Sequence, residues 1–352
     1  FPSIFNDVIG PVMRGPSSSH CAAALRIGRI CRDLMENQID EVLVKFDPNG
    51  SLATTHESQG SDMGFYGGLL GWEAYDKRLP DYKRAINEAG IRTKIEICSI
   101  GASHPNTYRI ILKNKNETRN VTAVSTGGGM IEIVEIDGST VSLSGDYFET
   151  FIYTTAPDDI LKLLSKSFEY DEIILHNNEI SFAEIKSQSF PDENLLKEIN
   201  STENVSFIKK ISPVLPVRSR KNLKVPFITA DGMTEYNKDK NLSLWQLAVH
   251  YESARGNISH QEVFRMMDEI VKIMENSIEE GLKGTEYRDR ILGPQSVGFN
   301  EKYKSNMLID GGILNRIIMY VSAILEVKSS MGVIVAAPTA GSCGALPGAV
   351  LA

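Results

Sequence analysis

The chain has 352 residues, 42% hydrophobic and 23% charged, the make-up of a globular protein of two or three domains. A formal charge of -8, spread along the sequence, argues against nucleic acid as a partner, because phosphate binding requires a basic face. No apolar run approaches the roughly 20 residues of a membrane span; the nearest, Gly332 to Ala337, stops at Pro338.

Residues 1–145 read as α+β. Pro16-Ser17-Ser18-Ser19 precedes an amphipathic run from Ala22 to Leu34, the pattern of a helix start. Val42, Val44 and Phe46 alternate with Glu41, Leu43 and Lys45 as in a half-buried strand. Met63–Leu70 and Asp81–Ala89 read as helices. Strand-like runs follow at Thr93–Cys98, Tyr108–Leu112 and Val121–Ser125, then Gly127-Gly128-Gly129 breaks the chain, and Ile131, Ile133 and Ile136 lead into Gly138 and a further short strand, Val141–Leu143. Residues 146–211 read as strand, helix, two strands joined through Asn177-Asn178, helix and strand: the ferredoxin-like βαββαβ order. Residues 212–240, with Pro213, Pro216 and Pro226, show no period and read as a linker. From 241 the chain is helical. Ser243 with Gln246 and Ser259 with Glu262 form capping boxes, and Val263, Met266, Met267, Ile270, Ile273 and Met274 make a core-facing stripe. The final residues, Leu351-Ala352, fall inside an apolar element, so a further C-terminal portion of the helical domain is expected.

Five short segments carry chemistry. Ser17, Ser18, Ser19 and His20 stand at a helix start, where unpaired N–H groups and the helix dipole favour an anion such as a carboxylate. A plain cap needs only one of those serines. His104-Pro105-Asn106-Thr107 lies between strands and can aim an imidazole and an amide, or can be an ordinary Asx turn. Gly127-Gly128-Gly129 can cradle an anion with backbone N–H groups or be a tight turn, and His56 with Gln59-Gly60-Ser61-Asp62 forms a polar loop before a helix. The remaining histidines, His176, His250 and His260, read as surface residues. Ala337 to Gly348 surrounds Cys343 with small residues between two prolines. That setting suits an accessible nucleophile or metal ligand, whereas Cys21, Cys31 and Cys98 read as small buried hydrophobes. With no CxxC pair, a reduced, cytoplasmic setting is expected.

Together these segments resemble the iron–sulfur L-serine dehydratases. Gly15 to His20, Gly60-Ser61-Asp62 with Gly67 to Gly71, His104 to Thr107, Gly127 to Gly129 and Pro338 to Gly348 are similar to that family's blocks, in its order. The resemblance implies a substrate-binding α+β domain (1–145), an ACT-type module (146–211) and, after the linker, the start of a helical catalytic domain (241–352). It implies L-serine as the small-molecule partner, a homo-oligomer, taken as a dimer, and a [4Fe–4S] cluster acting as a Lewis acid on serine. Ser17, Ser19, His104, Asn106, Thr107, Gly128 and Gly129 would bind substrate, Ser18 and His20 would serve catalysis, and Cys343 would be one iron ligand. The sequence departs from the family's pattern in three places. Pro157-Asp158-Asp159 replaces the usual effector turn of an ACT-type module, Gln59 replaces a common histidine, and no other cysteine matches a ligand position. Two rival classes stay open: a pyridoxal-phosphate lyase using a lysine such as Lys328, and a non-catalytic amino-acid-binding module.

Overall fold

The computed structural model describes residues 1–177, 181–286 and 293–352. It is a mixed α+β chain. After a two-residue strand β1 (Val12–Met13), the first part contains helices α1 (Ala23–Leu34), α2 (Leu52–Thr55), α3 (Ser61–Leu69) and α4 (Tyr82–Glu88). Among them run strands β2 (Glu41–Phe46), β3 (Arg92–Ile97), β4 (Thr107–Lys113), β5 (Thr118–Gly127), β6 (Met130–Ile136) and β7 (Ser139–Leu143). The sheet order is β3-β2-β4-β5-β6-β7, with only the β2–β3 pair parallel. Val42, Val44 and Phe46 point inward from β2, as their alternation requires, and share a core with α1 and α3. The backbones of those two helices touch. A Cβ on Gly64 would lie 2.0 Å from the Cys21 carbonyl oxygen, and one on Gly68 2.2 Å from that of Leu25. Only glycine permits this approach, which fixes where the serine-rich turn before α1 sits.

The middle part runs β8 (Phe148–Thr154), α5 (Pro157–Ser167), β9 (Glu172–Asn177), β10 (Ser181–Ser187), α6 (Glu193–Asn200) and β11 (Val205–Ile211). Its antiparallel sheet has the order β11-β8-β10-β9. Ile160 and Leu164 of α5 and Leu195 and Ile199 of α6 pack on Ile152 and Ile185. The turn expected at Asn178 and the strand start expected at Ile180 lie outside the described residues. His176 is not the surface residue the sequence suggested: its Nε2 lies 2.7 Å from Oε2 of the fully buried Glu184 on the neighbouring strand. His250 likewise has a partner, the Tyr236 hydroxyl, 3.0 Å from its Nδ1. Lys209 on β11 reaches back to Glu36 at 2.9 Å and Glu117 at 2.7 Å, tying this sheet to the first.

Residues 212–229 carry neither helix nor strand, but the expected linker does not continue to 240. Helix α7 (Ala230–Asn237) begins at Thr229, whose hydroxyl accepts the Gly232 N–H. It buries no residue and so leaves no apolar stripe in the sequence to betray it. There follow α8 (Leu244–Gly256), α9 (His260–Lys283), α10 (Ser296–Lys304), α11 (Ile313–Ser329), strand β12 (Ile334–Val335) and α12 (Ala345–Val350). Ser243 and Gln246 make the reciprocal capping box, and Val263, Ile270 and Met274 of the α9 stripe are buried. No helix among the described residues is long and apolar enough to cross a membrane.

The two ends of the chain meet. Strand β12 pairs antiparallel with β1, Val335 opposite Val12 and Ile334 opposite Met13. The ribbon is extended by Gly10 N–H donating to the Ala336 carbonyl at 2.8 Å and Ala336 N–H donating to the Pro11 carbonyl at 3.0 Å. Glu252 on α8 accepts the Ser3 hydroxyl and, at 2.8 Å, the Ile4 N–H. Because β1 leads into the serine turn and β12 leads into the Cys343 loop, this pairing brings those two segments together.

Candidate active site

The serine turn is a π-helical turn, Ser18–Ala22, entered from Ser17 and running into α1. Ser17 does not cap it with its side chain. Its hydroxyl instead lies 2.9 Å from His20 Nδ1, while His20 Nε2 lies 3.0 Å from the Thr55 hydroxyl of α2. Burial holds the His20 pKa below its ordinary value of 6.5, so the ring is neutral at pH 7. A neutral imidazole donates from one nitrogen and accepts at the other. The Thr55 hydroxyl donates its one proton to the Ser51 carbonyl at 2.6 Å, so it accepts from Nε2–H and leaves Nδ1 to accept from the Ser17 hydroxyl.

The His104 turn lies beside it through Ser125 on β5. Ser125 is fully buried; its hydroxyl donates to the Ser19 carbonyl at 2.7 Å and its N–H to the Asn106 carbonyl at 3.1 Å. The Asn106 amide reaches back to the Ser125 carbonyl at 3.5 Å, and its Oδ1 accepts the Ser51 hydroxyl. Asn106 N–H donates to His104 Nδ1 at 3.1 Å, which puts the ring proton on Nε2. Thr107 is buried and spends its hydroxyl on the His104 carbonyl at 2.7 Å, so it shapes the turn.

Gly127, Gly128 and Gly129 join β5 to β6 with φ of +109°, +60° and +90°, conformations that side chains other than glycine adopt with strain. Arg26 of α1 donates from Nη1 to the Gly129 carbonyl at 2.6 Å, and a Cβ on Gly128 would lie 3.4 Å from the Pro338 carbonyl oxygen. The Cys343 loop therefore abuts the glycine turn. It also meets the serine turn, because Ser18, 3% exposed, accepts the Ala340 N–H at 3.4 Å.

Cys343 itself departs from the sequence reading. The small residues around it close over the thiol instead of exposing it, leaving the residue fully buried. Burial pushes the thiol up to about 11, with Lys328 pulling weakly the other way. Cys21 and Cys31 sit in the core, as expected, but Cys98 is only half-buried. Among the described residues no group of three or more His, Cys, Asp or Glu side chains comes together as a metal site. Cys343 alone does not fit a [4Fe–4S] cluster, which takes about three or four thiolates. His56 lies apart from this chemistry: its Nδ1 pairs with Asp62 at 2.8 Å and its ring rests 5.3 Å from Phe46, bracing the start of α3. Ser51, Thr55 and Ser125 are the positions that sequence reasoning missed.

The chain is similar to known proteins along most of its length. The family model described as serine dehydratase alpha chain matches residues 239–352. The protein named "Probable L-serine dehydratase, beta chain" of Bacillus subtilis (strain 168) is 30% identical over 220 residues, 60% of this chain and 99% of that relative. The chain belongs to the L-serine dehydratase family. The L-serine dehydratase beta chain of Peptoniphilus asaccharolyticus is 34% identical over 143 residues, 40% of this chain and 64% of that protein. The match to the "Probable L-serine dehydratase, alpha chain" of Bacillus subtilis is 27% over 126 residues, covering 36% of this chain and 42% of that relative. This family member thus joins, in one chain, a beta part and a segment similar to less than half of an alpha chain.

Proposed function

We propose that the chain binds L-serine where the Ser17–His20, His104–Asn106 and Gly127–Gly129 turns converge and acts in its deamination to pyruvate and ammonia. The observation that carries this reading is the meeting of those three turns with the Cys343 loop, through Ser125, Ser18 and the Gly128–Pro338 contact. Ser17, Ser19, His104, Asn106 and the Gly128 and Gly129 backbone would orient the substrate carboxylate and amine. Thr107 would support the turn without touching substrate. Loss of water from serine requires a proton to leave Cα and the hydroxyl to leave with a proton. His20, neutral, carries its proton on Nε2 toward Thr55, whose own proton is held by the Ser51 carbonyl, and is suited to take up a proton at Nδ1, on the Ser17 side. Ser18 would link this turn to the Cys343 loop rather than react.

The family resemblance implies a [4Fe–4S] cluster, which when bound would supply Lewis acidity. The thiol of Cys343 alone does not hold such a cluster, which takes about three or four thiolates. The reading is tested by anaerobic iron and sulfide reconstitution, with L-serine supplied and pyruvate measured, alongside calorimetric L-serine binding. Binding and turnover that both fall in His20→Ala support it. A wild-type rate in His20→Ala, or an imine trapped by borohydride on Lys328, would overturn it. Dimer formation, also proposed from the resemblance, is read by light scattering.

A further inference from the structure

A second polar feature lies outside the serine turn, in a cavity of about 800 Å³ between α1 and α9. Leu25, Arg26 and Arg29 form one wall, Met266, Ile270 and Ile273 of α9 another, and the Pro213–Pro216 segment a third. Three arginines and three glutamates, Glu73, Glu262 and Glu269, line it. Arg29 is paired with Glu73 at 2.6 Å, and Arg265 with both Glu262 and Glu269, at 2.6 and 2.5 Å. Arg26 has no ion-pair partner among the described residues. It is 6% exposed, and both hydrogen bonds it makes, to the Gly129 carbonyl and the Met130 sulfur, run through Nη1. Its Nε–Nη2 edge, the side that matches a carboxylate with two parallel N–H donors, has no hydrogen-bond partner among the described residues. Burial lowers this guanidinium to about 10, and the acids nearest it, Asp7 and Glu73, act only through space.

A buried cation without a counter-ion is costly, and an anion that reaches it through a cavity relieves that cost. We infer that the cavity between α1 and α9 is a binding site for a small organic carboxylate, held by the Nε–Nη2 edge of Arg26 with its carbon body against Met266, Ile270 and Ile273. The apolar lining favours a short aliphatic acid over an inorganic anion. Because the same guanidinium holds the Gly129 carbonyl, occupancy bears directly on the glycine turn. The site does not depend on the serine reading, and its ligand does not contact Ser17 or His20.

Propionate is the probe, titrated calorimetrically into the full chain carrying His20→Ala, which removes the imidazole of the other proposed anion site. One propionate per chain is expected, with the Arg26 Nε–H resonance shifting as it binds and with saturating L-serine leaving the affinity unchanged. Arg26→Lys keeps the charge but loses the fork and should weaken binding at least about tenfold. Met266→Trp narrows the cavity at its apolar wall, leaves Arg26 in place and should weaken binding at least about tenfold. Circular dichroism checks that each variant folds, and where Arg26→Lys does not, Met266→Trp decides. Absence of saturable binding, equal binding of propionate and chloride, or wild-type affinity in Met266→Trp would overturn the inference.

Discussion

The clearest consequence of the site geometry concerns the two hydroxyls that hold His20. Ser17→Ala removes the partner of Nδ1 and Thr55→Val, nearly isosteric, removes the partner of Nε2. Each such bond is worth about 0.5–1.5 kcal/mol net. At about 1.4 kcal/mol per tenfold change, each single variant should lose roughly 2- to 12-fold in kcat/KM for serine. The two bonds orient one ring, so the double variant should show a coupling term instead of a simple sum. The pH profile adds an independent readout. Burial lowers the His20 pKa in the folded protein, so the unfolded chain binds more protons between the folded value and 6.5. The His20 contribution to stability is therefore full above 6.5 and lost as pH falls through the folded pKa. The acid limb of kcat/KM should lie below pH 6.5 and move toward it in Ser17→Ala, where water replaces the hydroxyl. Pyruvate release measured from pH 5 to 8 reads both effects. A folded double variant with wild-type kcat/KM and an unmoved acid limb would refute the role assigned to this ring.

Iodoacetamide applied to the native protein at pH 8 should modify half-buried Cys98 first and leave Cys21, Cys31 and Cys343 protected, read by peptide mass spectrometry; early labelling of Cys343 would contradict its burial. Gly64→Ala should destabilise by about 3 kcal/mol or more in urea unfolding, because its Cβ would stand 2.0 Å from the Cys21 carbonyl oxygen, backbone that cannot swing aside. Glu252→Ala should cost about 1–3 kcal/mol by the same measurement, since it strands the buried Ser3 hydroxyl and the Ile4 N–H together.

The elements with a strong period were legible in the sequence. The alternation in β2, the stripe of α9 and the capping box of Ser243 each follow from local chemistry, and the structure bears them out. Helix α7 escaped because it buries nothing. His176 escaped because its partner Glu184 is a neighbour only across a strand pair, and a buried carboxylate leaves no mark in the sequence beside it.

The segments that make up the candidate site were also visible one by one, as clusters of hydroxyls, imidazoles and glycines at turns. What the sequence by itself determined was their local character: which backbone must take positive φ, which residues can cap and which can titrate. Only the tertiary structure decided that they meet, through a β1–β12 pairing between residues more than 300 positions apart and through Ser125, one ordinary strand serine. It also decided that Cys343 is shut in. Small residues allow either a close approach of a ligand or a close approach of the chain's own backbone, and that choice depends on what packs against them.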